Sequence, residues 1–428
     1  MTYTRLRALV AVVVIAVASP AVAENWPNWR GPNGDGVSTE KGLPTTWSET
    51  KNIAWKLPLP GKGSSTPVVW GDRIFLTSGE NKELLLLCVS TAGKLLWKQK
   101  VAEETGVPTR MEFGNQASPS PTTDGKHVFV YLGSGDLACY DFDGKQVWTK
   151  NVQKDYGKFS IQHGMHVTPV LHGDRLFLAL ITNGGHWVIA FDKATGKEIW
   201  KHQRPSDAKG ESRESYASPV LWKNGAEVNL VVLGADYATG HKLSDGSELW
   251  RLGDLNPKDG YSSALRIIAS PVVGPNELVV PTARGGIVVA VKPGAAGSVK
   301  AGSEHEAWRI AKGAPDVPCP LVHDGLVYLQ RENGTMLIVD AKTGKETGSQ
   351  RLAPELYRAS PIYADGKIYT VSRNSGTVHV LKPGPKVEVL ATNKLGEGVY
   401  VTASPVVSGG RLYLRSVDAL YAISEDGK

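Results

Sequence analysis

From residue 52 onward the chain consists of short runs in which apolar and polar residues alternate. One example is Val68-Val69-Trp70, followed by the pair Gly71-Asp72 and then by Arg73-Ile74-Phe75-Leu76. A period of two is typical of strands that bury one face, and Gly-Asp pairs supply the positive φ of tight hairpin turns. The pattern therefore predicts an all-β protein built from short antiparallel strands.

One signal, a small or hydroxyl-bearing residue followed by Pro, recurs eight times. Successive Pro residues of this signal lie 54, 48, 50, 52, 49, 41 and 44 positions apart. Such intervals match the length of one four-stranded blade of a β-propeller. We therefore predict an eight-bladed β-propeller over residues 51–428. The blades open at Thr66-Pro67, Ser120-Pro121, Thr168-Pro169, Ser218-Pro219, Ser270-Pro271, Cys319-Pro320, Ser360-Pro361 and Ser404-Pro405.

A second signal ends most of the units: a Gly that precedes a Trp by four positions. The clearest copy runs from Ala190 through Gly196 to Trp200. Gly allows a turn with φ > 0, and a large indole on the outer strand can fill the gap between neighbouring blades. We predict this blade-docking role for Gly93, Gly144, Gly196 and Gly246 and for Trp55, Trp97, Trp148, Trp200, Trp250 and Trp308.

Three units depart from this pattern. Thr347 stands where the sixth unit should have its Trp, and the seventh is degenerate around Val387–Leu390, so we expect these two blades to pack less well at the rim. The eighth unit ends soon after its third strand, whereas Asn52–Lys56 resembles an outer strand without a blade. We predict that Asn52–Lys56 completes the eighth blade and leaves no open sheet edge.

The unit from Asp192 through Thr195-Gly196-Lys197 to Trp200 resembles the repeat of the quinoprotein-like (PQQ-like) propeller family. The resemblance covers about residues 50–428 and implies one of three functions. These are a BamB-type scaffold of outer-membrane assembly, a dehydrogenase of alcohols or sugars that uses PQQ with Ca²⁺, and a funnel that binds a polar small molecule or glycan. The sequence has neither the adjacent Cys pair of the larger dehydrogenases nor a matching set of metal-binding carboxylates. We therefore expect a non-catalytic binding or scaffold protein without cofactor or metal.

The first 23 residues are typical of an export signal. Arg5 and Arg7 precede the apolar run Ala8–Ala18, and Ala21-Val22-Ala23 is a suitable cleavage site before Glu24. The run has 11 residues, against roughly 20 for a membrane-spanning helix. We therefore expect a periplasmic or secreted protein without a membrane span.

Residues 24–50 are predicted to form an irregular N-terminal extension. The stretch Trp26–Gly36 is rich in Trp, Pro and Gly, and similar extensions often precede propellers of this family in exported bacterial proteins. We expect it to be ordered and to lie over the propeller.

Charge and cysteine content narrow the possible partners. The formal net charge is +6 over 428 residues, and no Lys/Arg block is interleaved with aromatic residues. Nucleic acid and anionic membrane surfaces are therefore poor candidate partners. Cys88, Cys139 and Cys319 cannot form a disulfide framework, and we expect them to be buried thiols. We expect a monomer whose partners are envelope proteins or a polar ligand.

Residues that precede each small-residue–Pro pair should surround the propeller axis, because they lead into the innermost strands. They include polar and aromatic side chains suited to binding a polar ligand or a peptide. The two His residues among them would need a third ligand from elsewhere to hold a transition metal, so we predict no metal site. The candidates are Asn115, Gln116, His163, His166, Tyr216, Arg266, Asp316, Tyr357, Arg358 and Tyr400.

Arginines recur at the second turn of blades five to eight, and they leave two interpretations open. They could form a basic arc that binds acidic partners, or they could pair with nearby acids such as Glu332 and Asp418. The four residues are Arg284, Arg331, Arg373 and Arg415.

Overall fold

The computed structural model describes residues 23–106 and 115–427. Within them, eight separate β-sheets form the blades of a propeller, so the predicted all-β, eight-bladed fold is confirmed. The predicted signal segment and cleavage site lie, except for Ala23, outside the described residues.

In each of the first four blades, four antiparallel strands follow one another outward from the axis. Blade one contains β2 (Val68–Trp70), β3 (Arg73–Glu80), β4 (Glu83–Ser90) and β5 (Leu95–Glu103). Blade two contains β6 (Thr122–Thr123), β7 (His127–Tyr131), β8 (Asp136–Asp141) and β9 (Gln146–Asn151). Blade three contains β10 (Val170–His172), β11 (Arg175–Thr182), β12 (Gly185–Asp192) and β13 (Glu198–Gln203). Blade four contains β14 (Val220–Asn224), β15 (Glu227–Gly234), β16 (Tyr237–Lys242) and β17 (Glu248–Leu252).

The remaining blades repeat this order with two exceptions. Blade eight takes its outer strand from the N-terminal part of the chain, and one strand from the sequence of blade five pairs with blade four. Blade five contains β18 (Val272–Val273), β19 (Leu278–Pro281), β20 (Val288–Val291) and β22 (Glu306–Ile310). Blade six contains β23 (Leu321–His323), β24 (Leu326–Gln330), β25 (Thr335–Asp340) and β26 (Glu346–Arg351). Blade seven contains β27 (Ile362–Ala364), β28 (Lys367–Val371), β29 (Thr377–Lys382) and β30 (Glu388–Lys394). Blade eight contains β31 (Val406–Ser408), β32 (Arg411–Arg415), β33 (Ala419–Ile423) and, as its outer strand, β1 (Ile53–Pro58).

The N-terminal strand β1 closes the ring. It pairs antiparallel with β33, with Ile53 opposite Ile423 and Lys56 opposite Tyr421. The segment predicted to complete the eighth blade therefore does so, shifted slightly toward Pro58.

Blade four differs from the expected four strands because it has a fifth. Strand β21 (Gly297–Val299), from the long connection between β20 and β22, pairs in parallel with β17, and Trp250 lies opposite Gly297. This pairing covers the outer edge of blade four, which the repeat alone would leave open.

The residues that open the blades form a closed ring of hydrogen bonds around the axis. The backbone N–H of each donates to the side chain of its counterpart in the next blade, at 2.9 to 3.2 Å, and Ser404 N–H returns to Thr66 Oγ1 at 3.0 Å. This contact explains why the position takes Ser, Thr or Cys, because a buried N–H needs an acceptor. We call these residues the axial ring: Thr66, Ser120, Thr168, Ser218, Ser270, Cys319, Ser360 and Ser404.

At the rim, the Trp of one blade lies against the Gly turn of the next. Trp55 Nε1 donates to the Thr91 carbonyl at 2.9 Å, and a Cβ on Gly93 would come within 2.6 Å of the same indole. Four other indoles donate in the same way to a backbone carbonyl of the next blade. The pairs are Trp97 with Phe142, Trp148 with Lys193, Trp200 with Leu243 and Trp308 with Ala341.

Trp250 is the exception among the predicted docking residues. Its Nε1 donates within blade four, to Asn229 Oδ1 at 3.0 Å, and its ring meets Trp222 edge-on. Contact with the turn of blade five is made instead by Asn224. Its Oδ1 accepts hydrogen bonds from the backbone N–H groups of Gly294 and Ala295. The insertion that supplies β21 has therefore replaced the usual contact between blades four and five.

Blade six does not show the poorer rim packing that we expected, whereas on the outer strand of blade seven Val389 and Leu390 are 42% and 41% exposed. Val387 is 3% exposed and packs with Tyr328 and Leu381. The position equivalent to the rim Trp is Gly348, four residues after Gly344, and not Thr347 as predicted. A Cβ on Gly348 would come within 2.3 Å of the Pro385 carbonyl oxygen. The turn of blade seven thus occupies the space that an indole fills elsewhere.

The extension, residues 24–50, crosses one face of the propeller. Trp26 forms a bridge with Val69 of blade one, and Val37 forms one with Tyr363 of blade seven. The Glu40 carboxylate accepts hydrogen bonds from Gly409 N and Gly410 N in blade eight, both at 2.9 Å. These contacts fix an irregular segment that has almost no secondary structure of its own.

The helices of the described residues are short. The described residues include one α-helical turn, Val152–Tyr156, and the 3₁₀ turn Gly210–Arg213, and none of their helices has the length and apolar character to cross a membrane.

The three cysteines are free thiols and are buried, as the sequence predicted. Burial raises the pKa of the Cys88 thiol to about 11 and that of Cys139 to about 12.

Candidate functional site at the axial mouth

A cavity of about 180 Å³ lies on the axis, at the end opposite the extension. Its wall contains the residue two positions before each member of the axial ring, one from each blade. These residues are Ser64, Ser118, His166, Tyr216, Ile268, Val317, Arg358 and Thr402. Their fixed offset gives the cavity, which we call the mouth, an eightfold arrangement.

Six of the ten predicted candidates line the mouth. They are His163, His166, Tyr216, Arg266, Asp316 and Arg358. The other four lie outside it, for reasons that differ between them.

Asn115 and Gln116 fasten neighbouring chain segments. Asn115 Nδ2 donates to the Lys62 carbonyl at 2.8 Å, and Gln116 Nε2 donates to the Thr105 carbonyl at 2.9 Å. Both side chains are buried, so they support the walls of the site.

Tyr357 and Tyr400 do not line the mouth either. Tyr357 is fully buried, and its backbone N–H donates to the Glu332 carbonyl at 2.9 Å. Tyr400 lies beside Arg373, whose guanidinium is 5.2 Å from the ring centroid. Since adjacent residues of an extended chain point to opposite sides, Arg358 can reach the cavity while Tyr357 cannot.

The histidine side of the mouth is organised around Glu214. Tyr216 OH donates to Glu214 Oε2 at 2.8 Å, and His163 N–H donates to Tyr216 OH at 3.2 Å. Burial, followed by the charge of Glu214, raises the pKa of Tyr216. His166 Nε2 lies 2.9 Å from the His163 carbonyl oxygen, and burial lowers the pKa of His166. The lowered pKa favours the neutral imidazole, and since a carbonyl oxygen can only accept, this contact requires the proton on Nε2.

The opposite side carries a chain of charged groups from three blades. Arg284 Nη2 lies 2.6 Å from Asp316 Oδ2 and also bonds Glu332, whose other oxygen lies 3.1 Å from Arg358 Nη2. Burial alone would lower the pKa of Arg284, but its bonds to the two carboxylates raise it. Burial lowers the pKa of Arg358 despite the charge of Glu332.

Among the residues that the structure describes, Arg284 is the one of the four recurrent arginines that pairs with acids. Arg415 is 1% exposed and donates to the Ser65 carbonyl at 3.0 Å instead of pairing with Asp418, and burial lowers its pKa to about 9. Arg373 Nε donates to Asn374 Oδ1. Arg331 has no ion pair within the described part of the chain. The four do not form a continuous basic arc.

The floor of the axial channel comes from the extension. Trp29 lines the channel together with Thr66, Ser120 and the other ring residues around them. The neighbouring Arg30 is 2% exposed, and its guanidinium donates to the carbonyls of Pro320 and Pro361 at 3.0 and 2.8 Å. The extension therefore contributes Trp29 to the lining of the channel at this end, and Arg30 holds it against blades six and seven.

A PQQ-dependent enzyme would need a Ca²⁺ held by several oxygen ligands. Across residues 23–106 and 115–427, no three or more His, Cys, Asp and Glu side chains cluster closely enough to hold a metal ion. Asp316, which lines the mouth, and Glu214 and Glu332, which contact lining residues, are each bonded to protein groups. The described residues thus contain no such cluster, and the mouth offers oriented donors and acceptors for binding.

Sequence comparison gives a family match across most of the chain. The family described as "Outer membrane protein assembly factor BamB" matches residues 81–346 and 238–428. A protein of the same description from Burkholderia pseudomallei is 29% identical over 236 residues, which is 54% of this chain and 52% of that protein. The chain thus spans about half the length of this curated relative.

Solved structures share the fold at low identity. BamB from Moraxella catarrhalis has a TM-score of 0.62 and 13% identity, covering 87% of this chain and 99% of its own. A europium-containing methanol dehydrogenase has a TM-score of 0.67 and 11% identity, with coverages of 91% and 89%. The quinohemoprotein alcohol dehydrogenase of Comamonas testosteroni has a TM-score of 0.65 and 12% identity, with coverages of 94% and 81%. At this identity the similarity shows the propeller fold and does not choose between a scaffold and an enzyme.

Proposed function

We propose that this chain, which belongs to the quinoprotein-like propeller family described as outer membrane protein assembly factor BamB, is a non-catalytic protein-binding scaffold of the cell envelope. The predicted export signal supports a periplasmic or secreted location, and the relative from Burkholderia pseudomallei supports a role in outer membrane protein assembly. We further propose that it works as a monomer.

The organisation of the mouth carries this proposal. Its charged side chains are held in place by other side chains of the protein, as in the links from Asp316 through Arg284 to Glu332. Groups ordered in this way lose little conformational entropy when a partner binds, which favours recognition.

The proposal can be tested by photo-crosslinking in the host cell. A benzophenone amino acid at Ile268, which lines the mouth, should capture a component of outer membrane protein assembly. The same amino acid at Lys197, in an exposed rim turn, is the matched control and should capture it much less. Equal capture from both positions, or capture of no assembly component, would contradict a scaffold that acts through its mouth.

A further inference from the structure

A second cavity, of about 250 Å³, opens beside the mouth and has two arginines in its wall. It shares Arg266 and Asp316 with the mouth, so the two cavities adjoin. We call it the two-arginine groove, lined by Ser262, Ala264, Leu265, Arg266, Ala283, Arg284 and Asp316.

Arg284 is oriented toward solvent by carboxylates that lie behind it. Its side chain is 67% exposed, whereas those of its partners Asp316 and Glu332 are 4% and 9% exposed. Nε and Nη2 make the bonds to these acids, and Nη1 makes no hydrogen bond within residues 23–106 and 115–427. The accessible part of this ion pair is therefore the cation.

Arg266 is the second arginine of the groove and is less exposed than Arg284, with 28% of its side chain accessible. Its Nε lies 3.3 Å from Glu211 Oε1, an ion-pair contact that does not have hydrogen-bond geometry. Its two terminal nitrogens make no hydrogen bond to any residue that the structure describes. Two guanidinium groups thus reach one groove with unused N–H donors.

We propose that the two-arginine groove binds a carboxylate of an acidic peptide segment from the partner protein. Guanidinium groups match the geometry of carboxylates and form charge-assisted hydrogen bonds with them. Ala264 and Ala283 present only methyl groups, which leave room for a peptide backbone to approach. This inference rests on the proposed function in one respect, that the ligand is a protein.

The test compares two fluorescent peptides by anisotropy on the folded protein. One alternates Ser and Glu, and the other replaces every Glu with Gln. We expect saturable binding of the Glu peptide, weakened by added salt as for exposed charges, and binding of the Gln peptide at least about tenfold weaker. Equal binding of the two peptides, or no binding of the Glu peptide at low salt, would overturn the inference.

Variants then locate the site. Arg284→Met and Arg266→Met should each weaken Glu-peptide binding by roughly tenfold. Arg351→Met removes an exposed arginine from the outer strand β26 and should leave it unchanged. The Arg284→Met variant could unfold because Asp316 loses its partner. In that case Arg266→Met, together with the comparison of the two peptides on the unaltered protein, still tests whether the groove binds a carboxylate.

The two proposals can fail separately. Capture of an assembly component from Ile268 together with equal binding of both peptides would retain the scaffold and reject the groove. Selective binding of the Glu peptide without capture of any assembly component would retain the groove and reject the proposed role in assembly.

Discussion

Gly246 of the fourth blade lies against the indole of Trp200 of the third. A Cβ on Gly246 would come within 2.5 Å of Trp200 Cε3, and Trp200 Nε1 donates to the Leu243 carbonyl of the same turn at 3.0 Å. Each Gly-x-x-x-Trp unit that follows this rule therefore receives the indole of the preceding blade at its Gly and passes its own indole to the next blade.

This contact predicts the effect of Gly246→Ala. The substitution puts a side chain at φ +77° and displaces Trp200, which should lower the free energy of unfolding by about 2–4 kcal/mol. The control is Gly225→Ala, because Gly225 has φ +69° and nothing within 4 Å of a Cβ. It should cost only about 1 kcal/mol. Urea unfolding measures both, and equal losses would show that displacement of the indole contributes nothing.

The axial ring predicts the effect of Ser218→Ala. Ser218 Oγ accepts the buried Thr168 N–H at 2.9 Å, and without it this N–H has no acceptor, at a cost of about 1–3 kcal/mol. Ser218→Thr keeps the hydroxyl and should lose less. Urea unfolding of the two variants tests the ring, and an alanine variant as stable as the original protein would refute its role.

The buried histidines predict a pH dependence of stability. Burial lowers the pKa of His186 and of His241 to about 4, below the ordinary value of about 6.5. As the pH falls, these two rings are therefore protonated in the unfolded chain at a higher pH than in the folded protein. The contribution of these two rings to the free energy of unfolding is therefore largest above pH ~6.5. It falls as the pH drops toward ~4, by at most about 1.4 kcal/mol per pH unit for each ring.

The measurement is urea unfolding at several pH values between neutrality and pH ~5. His186→Gln should flatten the slope, whereas His172→Gln, at an exposed position, should not. Comparing variants is necessary because burial raises the pKa of Asp236, which has the opposite effect on stability. An unchanged slope in His186→Gln would contradict the linkage.

The cofactor alternative gives a further prediction. Because the described residues contain no group of three metal-ligating His, Cys, Asp or Glu side chains, calorimetric titration with PQQ and Ca²⁺ should show no saturable binding. Addition of alcohols or sugars should then reduce no dye. A stoichiometry near one with dye reduction would establish the dehydrogenase and reject the scaffold.

The propeller could be predicted from sequence because its signals are local and repeat in register. Gly turns and alternating strands recur at each blade, and Asn52–Lys56 carries the pattern of the strand missing from blade eight. The fifth strand of blade four could not be predicted, because the insertion around Gly297 has no counterpart in the other units. That insertion is also why Trp250 lacks the contact made by the other rim Trp residues.

The mouth was predictable only in part, since candidates were chosen for size and polarity. This criterion finds His166 and Tyr216 but misses Ile268 and Thr402, which occupy equivalent positions. A fixed offset of two residues from the axial ring would have found all eight. The placement of Arg415 depends on Ser65, 350 positions away in sequence, and no local signal indicates that contact.

The pairing of β1 with β33 also makes closure of the ring depend on both ends of the chain. The paired residues Ile53 and Ile423 are separated by 370 positions in sequence (423 − 53). Contacts between residues so far apart carry a high loop-closure entropy and slow folding. Seven blades can form without β1, whereas the eighth is complete only when the first and last strands of the ring meet.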